Sequence, residues 1–206
     1  MAYSFDPELQ SFFIKHGTPG LIGLVHFDFK PAFLINWGQK KLTRDGKSAR
    51  FTHAFFFIEE RDSIPWIAES DVNLPLPGFH NRKDGPQLNS SRKWSSTIID
   101  DAAIVDPVLN EEQYKQMRSH ADYLLQQGLK YGLIALAGTW IAIQKGDLSH
   151  QSILHHASRM HCSQFIRECL KAAGVDPWGE RIASFNLAPE ALYQEFPVIA
   201  EWTRKK

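Results

Sequence analysis

The stretch Phe51-Thr52-His53-Ala54-Phe55-Phe56-Phe57-Ile58 constrains this chain more than any other. Aromatic and branched residues fit a pleated, buried surface, so a run this dense in them reads as a central strand. The turn-like Arg61-Asp62-Ser63 follows, then Pro65-Trp66-Ile67-Ala68-Glu69, and the two runs are expected to form a hairpin. Upstream, Leu21 to Phe27 reads as a strand bounded by Pro19-Gly20 and Pro31, and Phe33 to Trp37 as another ending at Gly38. Ser96 to Val105 reads as a further strand.

Between these strands, residues 73–95 carry Pro75, Pro77, Gly78, Gly85 and Pro86 with no periodicity, and are expected to be a long loop insertion. The second half has helical spacing. Asn110 is placed as an N-cap before Tyr114, Met117, Ala121, Leu124 and Leu125, with an end near Gly128. A buried helix is expected over 131–144. Another starts near His161 or Cys162 and ends at Gly174, and a short one opens at Pro189. Strands first and helices after make an α+β layout, in one domain spanning all 206 residues.

With 23 basic and 23 acidic residues the chain has no electrostatic footprint for nucleic acid or an anionic membrane surface. The longest apolar stretch, Tyr131 to Ile143, is interrupted by glycine and too short to span a bilayer, so stable membrane insertion is not expected. Arg204-Lys205-Lys206 reads as a solvated tail. The first residues show no basic region followed by an apolar run, so a cytoplasmic location, or export without a Sec signal, is expected. Cys162 and Cys169 are the two cysteines. On one helix they would lie two turns apart, roughly 10 Å along the axis, too far for a disulfide. Free thiols fit a reducing compartment.

A thiol reacts as its thiolate, and two features stabilise that form: a helix N-terminus and a neighbouring imidazolium. Cys162, at the start of Ser163-Gln164-Phe165-Ile166, has the first, and free backbone N–H groups there would suit an oxyanion. His53, alone in an apolar strand, is the candidate base, and Glu69 on the next strand the candidate that orients it. Glu59 and Glu60 are alternatives to Glu69. A helical cysteine is ordinarily a small core residue and a strand histidine ordinarily structural, so the residues alone leave both readings open.

The order of these segments resembles the circularly permuted branch of the papain-like NlpC/P60 superfamily, in which the histidine strand precedes the cysteine helix. The resemblance is carried by Gly20 to Gly23, Phe51 to Phe56, Trp66 to Glu69, Lys130 to Leu133, His161 to Ile166 and Leu187 to Leu192. It departs where relatives carry Gly-Asp at the first strand, here Gly20-Leu21, and at the 73–95 insertion. The resemblance implies a papain-like fold and a cysteine hydrolase with Cys162, His53 and Glu69 as catalytic residues. It implies a peptidoglycan-type peptide amide as substrate, or a lipid acyl group for a hydrolase or acyltransferase with the same site. No cofactor and no metal are implied. A cell-wall enzyme without a Sec signal would travel as a bacterial effector or phage component, with an immunity or secretion partner. A binding domain that keeps the fold without catalysis is the third reading.

His150, His155, His156 and His161 crowd the region before Cys162, but their spacing matches no standard zinc pattern. They are expected in a solvated loop, with His161 near the site. Gly17-Thr18-Pro19-Gly20 is a turn, not a phosphate cradle. Trp66, Phe79, Trp94 and Trp140 are read mainly as core, with an apolar groove for an acyl chain as the alternative.

Overall fold

The computed structural model describes residues 4–27, 49–72, 83–131, 148–149 and 158–205. The elements in chain order are helix α1 (Pro7–His16), strands β1 (Ile22–Phe27), β2 (His53–Arg61), β3 (Ile64–Asp71), β4 (Gly85–Ser90) and β5 (Ile99–Val105), and helix α2 (Glu111–Gln126). They continue with β6 (Lys130–Tyr131), β7 (Arg159–Met160), α3 (Cys162–Ala172), α4 (Pro189–Glu195) and β8 (Val198–Thr203). Six strands form an antiparallel sheet in the order β4-β3-β2-β1-β5-β8, and β6 and β7 form a separate parallel pair. The molecule is mixed α+β, as the sequence pattern leads one to expect.

Alternation along the central strands divides the core between two faces. Ile22, Leu24, Ala54, Phe56, Ile58 and Ala68 face Met117 and Ala121 of α2 and Phe165, Ile166 and Leu170 of α3. Val25, Phe55, Phe57 and Ile67 face Leu9 and Phe13 of α1 and Trp94. The two sets explain why Phe51 to Ile58 reads apolar at nearly every position: β2 is covered on both sides. Each fully buried phenylalanine contributes roughly 2 kcal/mol of transfer free energy. At Gly23 a Cβ would lie 2.1 Å from the Phe55 ring, so β1 carries a glycine where its neighbour's ring crosses it.

The helix signals are borne out where they are described. Asn110 and Gln113 cap α2 reciprocally. The amide of Val175 donates to Leu170 and that of Gly174 to Lys171, with Gly174 at φ 73°, so α3 closes in a Schellman motif. Pro189 occupies the first turn of α4.

Other expectations need correction. The order is not strands then helices. A helix opens the fold, α1, whose N-cap Asp6 accepts from the Leu9 amide at 3.0 Å and whose first position is Pro7. A strand closes it, β8 on β5. Residues 73–95 are not one long loop. β4 pairs with β3 from Asp71↔Gly85 to Trp66↔Ser90, and a 3-10 turn covers Ser91–Lys93. Gly, Pro and Asn disguise this strand, and an edge position is what allows Pro86 to lack an N–H. Arg204 is not in a solvated tail: it pairs with Asp6 and donates to the carbonyls of Ser96 and Ile99. The strand expected at Phe33–Trp37 and the helix expected over 131–144 lie outside the described residues, apart from Tyr131 at the end of β6. Among the described residues, no helix is long and apolar enough to cross a membrane.

Candidate active site

Cys162 is the first residue of α3, where amide groups are left over from the helix ladder. His161 supplies the cap: its Nδ1 accepts from the Gln164 amide at 3.3 Å, while its Nε2–H donates to the Phe185 carbonyl at 2.8 Å. The same ring also hydrogen-bonds Cys162, so the capping residue touches the sulfur as well as the helix end. The expectation of His161 near the site holds, in the role of a cap. Ser70 Oγ donates to the Met160 carbonyl at 2.6 Å, tying β3 to the residues just before the nucleophile. Parallel pairing of Tyr131 with Met160 brings the Tyr131 hydroxyl to 4.0 Å from Cys162 Sγ, and this hydroxyl also accepts from the Cys162 amide.

His53 opens β2 and is 2 % exposed. Its Nε2 donates to Glu69 Oε2 at 2.7 Å, and the ring also hydrogen-bonds Cys162. With Nε2 committed to Glu69, Nδ1 is the nitrogen left for the sulfur. The ring lies against the Trp94 indole, centroids 4.4 Å apart and planes at 32°. An imidazolium on an indole face is favoured by the ring quadrupole that attracts other cations.

Glu69 is fully buried, and its carboxylate is saturated. Oε2 accepts from His53 and from Trp94 Nε1 at 2.8 Å; Oε1 accepts from Asn89 Nδ2 at 2.7 Å and Lys93 Nζ at 2.6 Å. Lys93 also pairs with Asp71 at 2.6 Å. Four donors on two oxygens leave the carboxylate one orientation. Glu59, the sequence alternative, instead faces Arg118 of α2 and Arg61, and Glu60 is exposed at the hairpin end of β2.

The electrostatics follow from this arrangement. Burial would push the Cys162 thiol up, but the charge of His53 beside it overrides this and holds it well below the usual thiol range. Burial would pull His53 down; the Cys162 sulfur, followed by the bond to Glu69, pushes it up to about 10. Burial would raise Glu69, and the Lys93 charge, then His53, bring it down to about 2. Each member favours the charged form of the next. Tyr131 is pushed up by burial and by Cys162, and keeps its proton as a donor.

The structure therefore brings Cys162, His53 and Glu69 together. Sequence reasoning missed Tyr131 as a site residue, along with Asn89, Lys93 and the second role of Trp94. The last three belong to the stretch read as a loop, where only the register of β4 on β3 could have placed them. The Arg61 guanidinium lies 4.1 Å from the Trp66 ring centroid, whereas Trp94 packs on His53. Phe79, Trp140, His150, His155 and His156 lie outside the described residues. Cys169 is buried in the core, its thiol pushed well up by burial.

This geometry can supply a nucleophile, a proton carrier, a group that orients the carrier, and a hydroxyl donor beside the sulfur. No family model matches the chain, and no curated protein matches it in sequence.

Proposed function

We propose that the protein is a thiol hydrolase that cleaves an amide bond in peptidoglycan-type peptides through a thioester on Cys162. The observation that carries the reading is His53 held between Cys162 and a saturated Glu69 carboxylate, all three buried at a helix N-terminus. A structural cysteine and histidine have no need of that order, whereas acyl transfer needs each part of it.

The thiolate of Cys162 attacks the carbonyl carbon, and the oxyanion forms beside the Tyr131 hydroxyl, which the Cys162 amide holds in place. The His53 imidazolium gives its proton to the leaving amine as the C–N bond breaks, leaving a thioester and neutral His53. Water then loses a proton to His53 and attacks the thioester, and the carboxylic acid departs as the thiolate returns. Glu69 keeps its charge throughout and fixes the ring. The amide preference rests on the resemblance of segment order to permuted NlpC/P60 enzymes; the chemistry at sulfur would be the same for a lipid ester.

Wild-type protein and Cys162→Ala are incubated with purified peptidoglycan and, separately, with phospholipid vesicles, and products are analysed by mass spectrometry. New amine and carboxyl ends from peptidoglycan with wild type alone are expected. Fatty acid released from the vesicles instead would reassign the substrate to lipid. Activity untouched in Cys162→Ala would overturn the mechanism.

A further inference from the structure

We propose that Lys93, which takes no part in the steps above, is a positioning residue whose charge sets the pH window of the Cys162–His53 pair. The inference rests on the thiol-hydrolase reading. Its basis is a buried cluster: Lys93 Nζ lies 2.6 Å from Glu69 Oε1 and 2.6 Å from Asp71 Oδ2, with side-chain exposures of 6, 0 and 6 %. The residue comes from the 3-10 turn after β4, so a segment at the sheet edge supplies a charge to a site built by β2, β3 and α3.

The groups around it are His53 on β2, Glu69 and Asp71 on β3, Asn89 on β4, Tyr131 on β6, and His161 and Cys162 at the start of α3. With thiolate and imidazolium formed, the anions Cys162, Glu69 and Asp71 face the cations His53 and Lys93 among the described residues. Asn89 already gives Glu69 Oε1 a neutral donor at 2.7 Å, so what Lys93 adds is its charge. Lys93 Nζ also lies 5.0 Å from the centroid of the Trp94 ring that backs His53, so one indole lies against both cations.

Charges this close and this dry are weakly screened. Without Lys93, His53 would face Glu69 and Asp71 with one positive charge fewer beside it. It would hold its proton too tightly to release it to a leaving amine, and the Cys162 thiolate would lose a supporting positive charge. Both limits of the window move to higher pH when Lys93 is neutralised, and both move lower when Asp71 is neutralised.

The test reads the thiolate directly, without a substrate. The rate of Cys162 alkylation by iodoacetamide is followed against pH in the full-length protein, for wild type, Lys93→Met, Lys93→Arg and Asp71→Asn. Circular dichroism checks that each is folded. Lys93→Met is expected to move the acid limb up by roughly one pH unit, about tenfold slower alkylation on that limb. Lys93→Arg should stay close to wild type, and Asp71→Asn should move the limb down. A folded Lys93→Met with an unmoved or lowered limb overturns the proposal. Should Lys93→Met fail to fold, the Asp71→Asn limb decides: a downward shift supports the proposal, and an unmoved or raised limb overturns it. A wild type with no thiolate plateau below pH 7 is a separate result, one that sinks the thiol-hydrolase reading itself.

Discussion

The first turn of α3 and its third turn hold the same side chain in opposite states. Cys162 and Cys169 are both buried and both free. At the first turn the sulfur meets the His53 ring, the Tyr131 hydroxyl and the helix's own N-terminus, and its thiol is held low. Seven residues on, in the last turn, Cys169 packs in the core that also holds Phe165, Ile166 and Leu170, away from the N-terminus, and its thiol is pushed up. Burial is common to both, so burial does not make a nucleophile. The difference lies in what replaces water: a cation beside the sulfur in one case, hydrocarbon with the Glu168 and Asp122 carboxylates nearby in the other.

The sharpest way to break this comparison is to remove the imidazole. His53→Ala should lower turnover of the preferred substrate by 10³-fold or more, and alkylation of Cys162 at pH 6 by about 10²-fold, because an ordinary thiol is under one per cent thiolate there. In wild type, Cys162 should be labelled in the native protein and Cys169 only after denaturation, as peptide mapping would show. The pH limits follow from the signs. Cys162 is lowered, so its charge and the stability it brings disappear as pH falls through its value. His53 is raised from 6.5 to about 10, so its contribution is complete below 6.5 and fades as pH rises through about 10. Turnover should therefore fall on the alkaline side near pH 10. Equal labelling of both cysteines in native protein would erase the distinction.

Tyr131→Phe separates binding of the oxyanion from generation of the thiolate. It removes the hydroxyl beside Cys162 while keeping the ring, and should cost about 10- to 10³-fold in kcat. Cys162 alkylation should keep a thiolate plateau at neutral pH. Loss of both together would mean that Tyr131 holds the helix end in place and does not serve the oxyanion.

How legible these regions were in the sequence follows from the range of the forces that build them. Asn110, Gly174 and Pro189 act within one helix turn, and each does in the structure what its local chemistry implies. The apolar runs of β1, β2 and β3 are likewise local. β4 was hidden because an edge strand with Gly85 and Pro86 has the composition of a loop; pairing with β3, not propensity, makes it a strand. The same holds for the site. Cys162 announces itself by its place at a helix start and His53 by its isolation among phenylalanines. Besides His53, the three donors that saturate Glu69 follow it by 20 to 25 positions and meet it only through the β3–β4 register and the turn beyond. α1 had its signals in place, Asp6, Pro7 and Gly17, within a third of the chain dominated by strand patterns.

Glu69→Gln tests the saturated carboxylate, with a smaller effect expected on stability than His53→Ala has on turnover. Whichever way the amide points, its NH₂ meets two donors, either His53 and Trp94 or Asn89 and Lys93. Breaking a buried pair in this way costs about 3 kcal/mol, or roughly 6–12 °C in Tm for a chain of this size. The acid side carries a second signature. Glu69 lies near 2 when folded against an ordinary 4.5, so wild type loses its contribution as pH falls from about 4.5 through about 2. Glu69→Gln should flatten the fall of Tm over that interval. An unchanged slope would place the acid sensitivity elsewhere.

Cys169→Ala is the mildest change and the control on the whole comparison. It removes one sulfur from a packed apolar cluster, a loss of about 1 kcal/mol set by transfer and a small cavity. Thermal melting should show that loss while kcat/KM stays within a factor of two of wild type. Cys169→Ser should cost more, because it puts a hydroxyl where burial already disfavours polarity strongly enough to push the thiol up. Should Cys169→Ala instead lower activity tenfold at unchanged stability, the last turn of α3 would belong to the site. The contrast between its two ends would then be one of degree, with charge reaching further along the helix than the first turn.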